Sequence, residues 1–376
     1  FARLLGASER IAALSALFTT AHSSLVSLIY QTSVLYDILC LTFFFLAFNA
    51  YLRGRSDDRP LSIRTAALVM VLYVAAMNSK EMAISFPILL CLYELVYHPP
   101  RALRPAELAR WTARTCWPGI LAGALTTADL LGKVFSPDPL TGMEAYRPEL
   151  SFTRWMNANV SYTTEILHFY WKFTWITAPL LWLVLFYLAW RRDRPHLKLA
   201  WLFIMVSTVP ISFIPQRGGS CLYIPLVGWA LFAATLASDL IELLAREPWL
   251  RRLPRRACEH TATALLAAVF FQWTAYTLKG APKLYREVQA PTWQLISQVR
   301  QLDLHPLHGA RILLLNAPFE GYDAYFVTSL VWSDKSLTIV DIRKERDPAS
   351  IDPRTFDYVL RFEGDKIELT QPRVKP

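Results

Sequence analysis

The chain has 376 residues, of which 54% are hydrophobic and 13% aromatic, with a net charge of +9 and a mean hydropathy of +0.27. Only 18% are charged, against about 25% in soluble domains. This excludes a disordered chain, a collagen and a disulfide-stapled secreted module, and it makes a water-soluble globule a poor fit. A polytopic α-helical membrane protein is expected.

Nine apolar runs follow in order, each near the length that crosses about 30 Å of hydrocarbon. They are Ile11 to Tyr30, Leu35 to Leu52, Ile63 to Met77, Met82 to Tyr97, Thr115 to Val134, Trp175 to Trp190, Leu199 to Ile214, Leu222 to Leu244 and Thr261 to Leu278. The stretch from His22 to Tyr36 is rich in Ser and Thr and reads as a broken or re-entrant helix. Trp155 to Phe173 mixes aromatic and polar residues and reads as an interfacial helix. The opening Phe-Ala-Arg-Leu-Leu-Gly, with no Met, reads as the start of a fragment or processed product.

Charge sets the expected topology. Alternate loops hold Arg53, Arg55, Arg59 and Arg64, then Arg101, Arg104, Arg110 and Arg114. The next of that set holds Arg191, Arg192, Arg194 and Lys198, and the last holds five arginines between Arg246 and Arg256. The intervening loops carry few basic residues: Lys80, Lys133, Arg147, Arg154, Lys172 and Arg217. The positive-inside rule places the arginine-rich set in the cytoplasm and the tail outside it. Residues 1–280 then form the membrane domain. Residues 281–376 hold equal numbers of basic and acidic residues, 13 each, and read as a small extracytoplasmic α/β domain. Its helices are expected at Arg286 to Leu304 and Tyr322 to Trp332. Its strands are expected at Ala310 to Leu315, Leu337 to Ile342, Asp357 to Phe362 and Lys366 to Leu369. The charge pattern is a topology signal and excludes a nucleic-acid stripe.

The uncommon charges gather on the arginine-poor side. Lys80-Glu81 lies between two short apolar runs and is either a helical-hairpin turn with snorkelling ends or a functional pair. Lys80 has the chemistry to hold a lipid phosphate as a point charge. Asp37 opens an apolar helix, as a capping acid or as a supporting carboxylate. Arg217-Gly218-Gly219 is a short turn or an anion clamp. Glu165 and His168, spaced i, i+3, share a helix face. His22, His168 and Lys172 are accessory candidates. None of the five cysteines forms a CxxC pair, and no Walker A, HExxH, GxSxG or EF-hand pattern occurs in the sequence. No metal ligand set is assigned.

Three segments carry a resemblance. Asn78-Ser79-Lys80-Glu81-Met82-Ala83-Ile84-Ser85, with Pro87 and Tyr93-Glu94, resembles the "SKE" segment of GT-C membrane glycosyltransferases. The most similar group is the protein O-mannosyltransferase-like set, which includes transmembrane O-mannosyltransferases with TPR repeats and bacterial relatives. Tyr36-Asp37-Ile38-Leu39 resembles that group's "ADLL" motif, and Leu222 to Gly228 resembles "RYLYLPSVG", over roughly Ala12 to Leu244. The resemblance implies a GT-C-like fold in a bacterial inner membrane. It also implies transfer of a sugar from a polyprenyl-phosphate carrier to an acceptor protein or glycan, within membrane lipid, with a divalent cation as an admissible cofactor. On its motifs, Asp37 and Glu81 are catalytic candidates, and Lys80, Arg217 and Tyr223 are carrier-phosphate ligands. The family's acidic first outer loop is expected upstream of Phe1. The family's "HPxHxEA" segment reads His22-Ser-Ser-Leu-Val-Ser-Leu here, and its "RYLYLP" arginine falls on Ser220. These departures keep open a non-catalytic scaffold whose tail is a docking module.

Overall fold

A computed structural model describes the chain except for residues 26–33, 56–60, 136–146, 168–171, 216–218, 246–253, 281–289, 318–329, 335, 345–350, 364–365 and 373–376. It divides into two compact units, Phe1–Leu278 and Lys279–Pro376.

The first unit is helical. Its elements are α1 (Glu9–Thr20), α2 (Leu35–Arg55), α3 (Ile63–Ser79), α4 (Phe86–Tyr97), α5 (Pro105–Thr115) and α6 (Trp117–Val134). They continue with α7 (Phe152–Leu167), α8 (Thr177–Arg191), α9 (Pro195–Val206), α10 (Val209–Ser212), α11 (Tyr223–Leu244) and α12 (Arg255–Thr277). Among the described residues, three segments are long and apolar enough to cross a membrane: Leu35–Arg55, Pro195–Ser212 and Tyr223–Leu244. Helices α3 and α8 are apolar but shorter.

Two expected runs do not form single spans. The run Ile11 to Tyr30 stops being α-helical at Thr20, and a 3-10 turn follows over Ser23–Leu25. Twelve residues of α1 rise only about 18 Å. Ser23, which follows the break, is a side chain that competes for backbone hydrogen bonds. The run Met82 to Tyr97 splits into a 3-10 helix, Glu81–Ser85, and α4. Lys80 before it is extended (φ −160°), and Pro87 sits in the first turn of α4, where its missing N–H costs nothing.

Packing explains the order. Phe44 and Phe48 of α2, Phe86 of α4 and Phe203 of α9 form a buried aromatic cluster, with Phe44 and Phe86 edge to face at 5.2 Å. Helix α11 crosses α9 at Gly228, where a Cβ would lie 2.8 Å from the Ala200 carbonyl oxygen. Only a missing side chain permits that approach. Asn159 of α7 donates to Ser212 Oγ at 3.0 Å and accepts from Thr208 Oγ1 at 2.7 Å, so this buried amide ties α7 to α9–α10.

The second unit has α13 (Ala290–Gln301), β1 (Arg311–Leu315), β2 (Thr338–Asp341), β3 (Tyr358–Glu363) and β4 (Lys366–Pro372). The sheet order is β2-β1-β3-β4. β1 runs parallel to β2 and β3, and β4 closes the edge antiparallel to β3. β1 is central and therefore apolar on both faces. Ile312 and Leu314 pack with Val299 of α13, while Leu313 packs with Phe356 and Val359. The helix expected at Tyr322 to Trp332 lies mostly outside the described residues; its last residues, Leu330 to Trp332, are helical. Asp334 and Ser336 make a turn before β2, in which the Ser336 hydroxyl and N–H hold the Asp334 carboxyl below its usual range.

Candidate functional site

Three segments distant in sequence meet at the Asp37 end of α2. Asp37 sits in the first turn of α2 with its side chain 1% exposed. A capping acid at a helix N-terminus is ordinarily solvated; this one is buried. Lys80, at the C-terminal cap of α3, brings Nζ to 3.6 Å from Asp37 Oδ2. One turn along α2, the Cys40 thiol points at the Lys80 carbonyl oxygen at 3.7 Å, so α2 contacts both the backbone and the side chain of Lys80. Tyr223, the first residue of α11, is fully buried, and its hydroxyl lies within interaction range of Asp37 and Cys40.

The polar atoms here are not all used. Asp37 Oδ1 and the Tyr223 hydroxyl are buried without a completed hydrogen bond. Each such atom costs about 1–3 kcal/mol when left unsatisfied, and unsatisfied buried atoms in a native fold call for an explanation. Glu81 opens the 3-10 helix, half-buried, close enough to Asp37 to act on it electrostatically.

A second layer holds the segment that precedes Tyr223. His22 Nε2 lies 2.8 Å from the Ile166 carbonyl oxygen at the end of α7. The neighbouring Glu165 carboxylate accepts the backbone N–H of Gly219. Burial pushes the Glu165 carboxyl above the usual carboxylate range, and the Gly219 bond pulls against it. Helix α7 thereby fixes both the His22 turn and the 3-10 turn Gly219–Cys221 that leads into α11.

Of the residues expected from sequence, Asp37, Lys80, Glu81 and Tyr223 are brought together. His22 is held at α7, beside Glu165. Lys172 is exposed in the segment before α8. Arg217 and His168 lie outside the described residues. Among the described residues, no three His, Cys, Asp or Glu side chains gather in one place.

Sequence reasoning passed over a second buried cluster, at the opposite end of α2. Glu94 of α4 is fully buried and accepts from Tyr51 Oη at 2.5 Å and from Arg55 Nε at 2.9 Å. Its other oxygen accepts from Arg55 at 2.8 Å and lies 3.0 Å from His98 Nδ1. An acid in an apolar helix, four residues before a histidine, was the available signal. The arginine that completes the cluster is on another helix.

Comparison of the chain with protein-family models, with curated proteins and with solved structures finds no match.

Proposed function

We propose that the chain is a GT-C-type glycosyltransferase of the bacterial inner membrane, moving a sugar from a polyprenyl-phosphate carrier to a protein or glycan acceptor outside the cytoplasm. The observation that carries this reading is the meeting of Asp37, Lys80 and Tyr223 at the end of the bundle away from the arginine-rich loops. In the reaction the acceptor oxygen bonds to the anomeric carbon as the carbon–oxygen bond to the carrier phosphate breaks. The bonding pair leaves with the phosphate, and the acceptor proton passes to a carboxylate. Lys80 balances the charge that builds on the departing phosphate, and the Tyr223 hydroxyl donates to it. Asp37 holds Lys80 in place. Glu81, next to the cation and half-exposed, organises the carrier site with Asp37 and Lys80. The nine-span topology and the outward placement of the second unit belong to the same reading.

A non-catalytic scaffold, with the second unit as its docking module, is the rival reading. It is favoured by Ser23, Leu25, Ser27 and Ser220, which stand where the resembling family has proline, histidine, glutamate and arginine. The test is release of polyprenyl phosphate from radiolabelled carrier sugars by membranes containing the intact protein. Release that is lost in Lys80→Ala, with membrane protein retained, supports the transferase. Full release in that variant overturns the site. No release from any carrier by well-folded wild type selects the scaffold.

A further inference from the structure

Helix α5 has no buried residue, although it lies between two packed helices of the first unit. At 100° per residue, Glu107, Arg110 and Arg114 fall on one narrow stripe. The rest of the surface is small or apolar: Ala106, Ala109 and Ala113 are exposed, as is Leu108 (40%). Leu103, just before the helix, is 83% exposed. The Trp111 indole N–H donates to the His98 carbonyl oxygen at 2.7 Å, which anchors α5 to the end of α4. At its other end a single residue, Cys116, separates α5 from the apolar helix α6.

The charges around this bare face are one-sided. Glu107 is paired with Arg110. Arg101, Arg104 and Arg114 are exposed, and none has an ion-pair partner among the described residues. An exposed apolar face rimmed by unpaired arginines, tied to helices of a membrane protein at both ends, is complementary to one surface in particular. That surface is an anionic headgroup layer over acyl chains.

We propose that α5 is an in-plane membrane helix that binds anionic phospholipid headgroups on the arginine-rich side of the protein. Arg101, Arg104 and Arg114 contact the phosphates, and Leu103 and Leu108 enter the acyl boundary. The inference concerns the end of the molecule away from Asp37 and Lys80 and does not depend on the glycosyltransferase reading.

Two measurements on the full chain test it. In native mass spectrometry of the solubilised protein, titration with phosphatidylglycerol should show tighter binding than phosphatidylcholine. Combined Arg101→Gln, Arg104→Gln and Arg114→Gln substitution, all at exposed positions, should weaken phosphatidylglycerol binding by about fivefold per arginine and leave phosphatidylcholine binding unchanged. Equal phosphatidylglycerol binding by wild type and the triple variant overturns the proposal, and so does an equal loss for both lipids. In vesicles, a nitroxide attached at Ala109→Cys should be reached by oxygen from the acyl region, and more so when phosphatidylglycerol is present. A label open to a water-borne quencher in both lipids overturns the proposal. So does a label shielded from both reagents, because a protein surface would then cover the face.

Discussion

At its Arg55 end, α2 contributes to a buried carboxylate whose two oxygens are both fully engaged. Roughly 27 Å along the same helix, at its Asp37 end, it holds a buried carboxylate with one ion pair and one unused oxygen. Both acids sit in apolar helices and both face a cation. Glu94 is gripped by a bidentate guanidinium, a phenol and an imidazole, which is how a low-dielectric interior stabilises a charge. Asp37 meets Lys80, a flexible point charge that is 26% exposed. The first arrangement leaves nothing for a ligand to do. The second leaves a partly exposed ammonium beside a buried carboxylate, and that difference separates a structural ion pair from a candidate site.

The sharpest way to break this contrast is Glu94→Gln. It leaves Arg55, 11% exposed, as a buried charge without its counter-ion, at a cost of about 3–5 kcal/mol. Thermal unfolding in detergent should show a large loss, with a drop in membrane yield. A small change would mean that the Glu94 cluster is not the structural end. Gly228→Ala calibrates the scale with a purely steric insult. The added Cβ meets the Ala200 carbonyl oxygen and Phe203 at 2.8 Å, and overpacking of this kind costs about 1–3 kcal/mol. It should lower the unfolding temperature by less than Glu94→Gln does.

At the other end the two readouts should separate. Lys80→Ala leaves the Asp37 carboxyl, 1% exposed, without its cation. A carboxyl can be neutralised by a proton, whereas the Arg55 guanidinium cannot lose one. The loss of stability should therefore be smaller than for Glu94→Gln, yet release of polyprenyl phosphate should be abolished. Tyr223→Phe sharpens the point. The Tyr223 hydroxyl is buried facing Asp37 and Cys40, so its removal should change stability by no more than about 1 kcal/mol, while turnover falls. A clear loss of stability in Tyr223→Phe would show that the hydroxyl is a structural partner and would remove it from the site.

What could be seen in the sequence follows from how local each signal is. Asp37 and Lys80 stood out because isolated charges beside apolar runs are expensive. Their contact was not legible from spacing, since it depends on α2 lying against α3 and on the extended backbone at Lys80. Tyr223 was reached only through a resemblance; nothing in its own neighbourhood marks a phenol that will be buried facing a carboxylate. Arg55 read as one of many topological arginines, and its bond to Glu94 is a tertiary fact. The breaks near His22 and at Lys80 were legible from the Ser- and Thr-rich stretch and from the charged pair between two apolar runs. The 3-10 turns that follow them, Ser23–Leu25 and Glu81–Ser85, were not, because hydropathy does not distinguish one helical form from another. The sheet of the second unit was easier to find, because a central parallel strand is a continuous apolar run such as Ile312 to Leu315.

The smallest expected effect concerns Glu165, the acid that ties α7 to Gly219. Burial raises its carboxyl above the ordinary range, so the folded state holds the proton more tightly than the unfolded state does. Between the unfolded and folded values the native state therefore carries more bound protons, and stability falls as pH rises through that window. The contribution is most favourable below the ordinary glutamate value of 4.5 and is lost once Glu165 ionises in the fold. Glu165→Gln keeps an acceptor for the Gly219 N–H and removes the ionisation. It should be slightly more stable than wild type at neutral pH, with the gap closing in acid. A Glu165→Gln variant that is less stable at neutral pH would mean that the charged carboxylate has a cationic partner at the turn before Tyr223. Glu165 would then belong with Asp37 and Lys80, and α7 would be part of the site rather than its support.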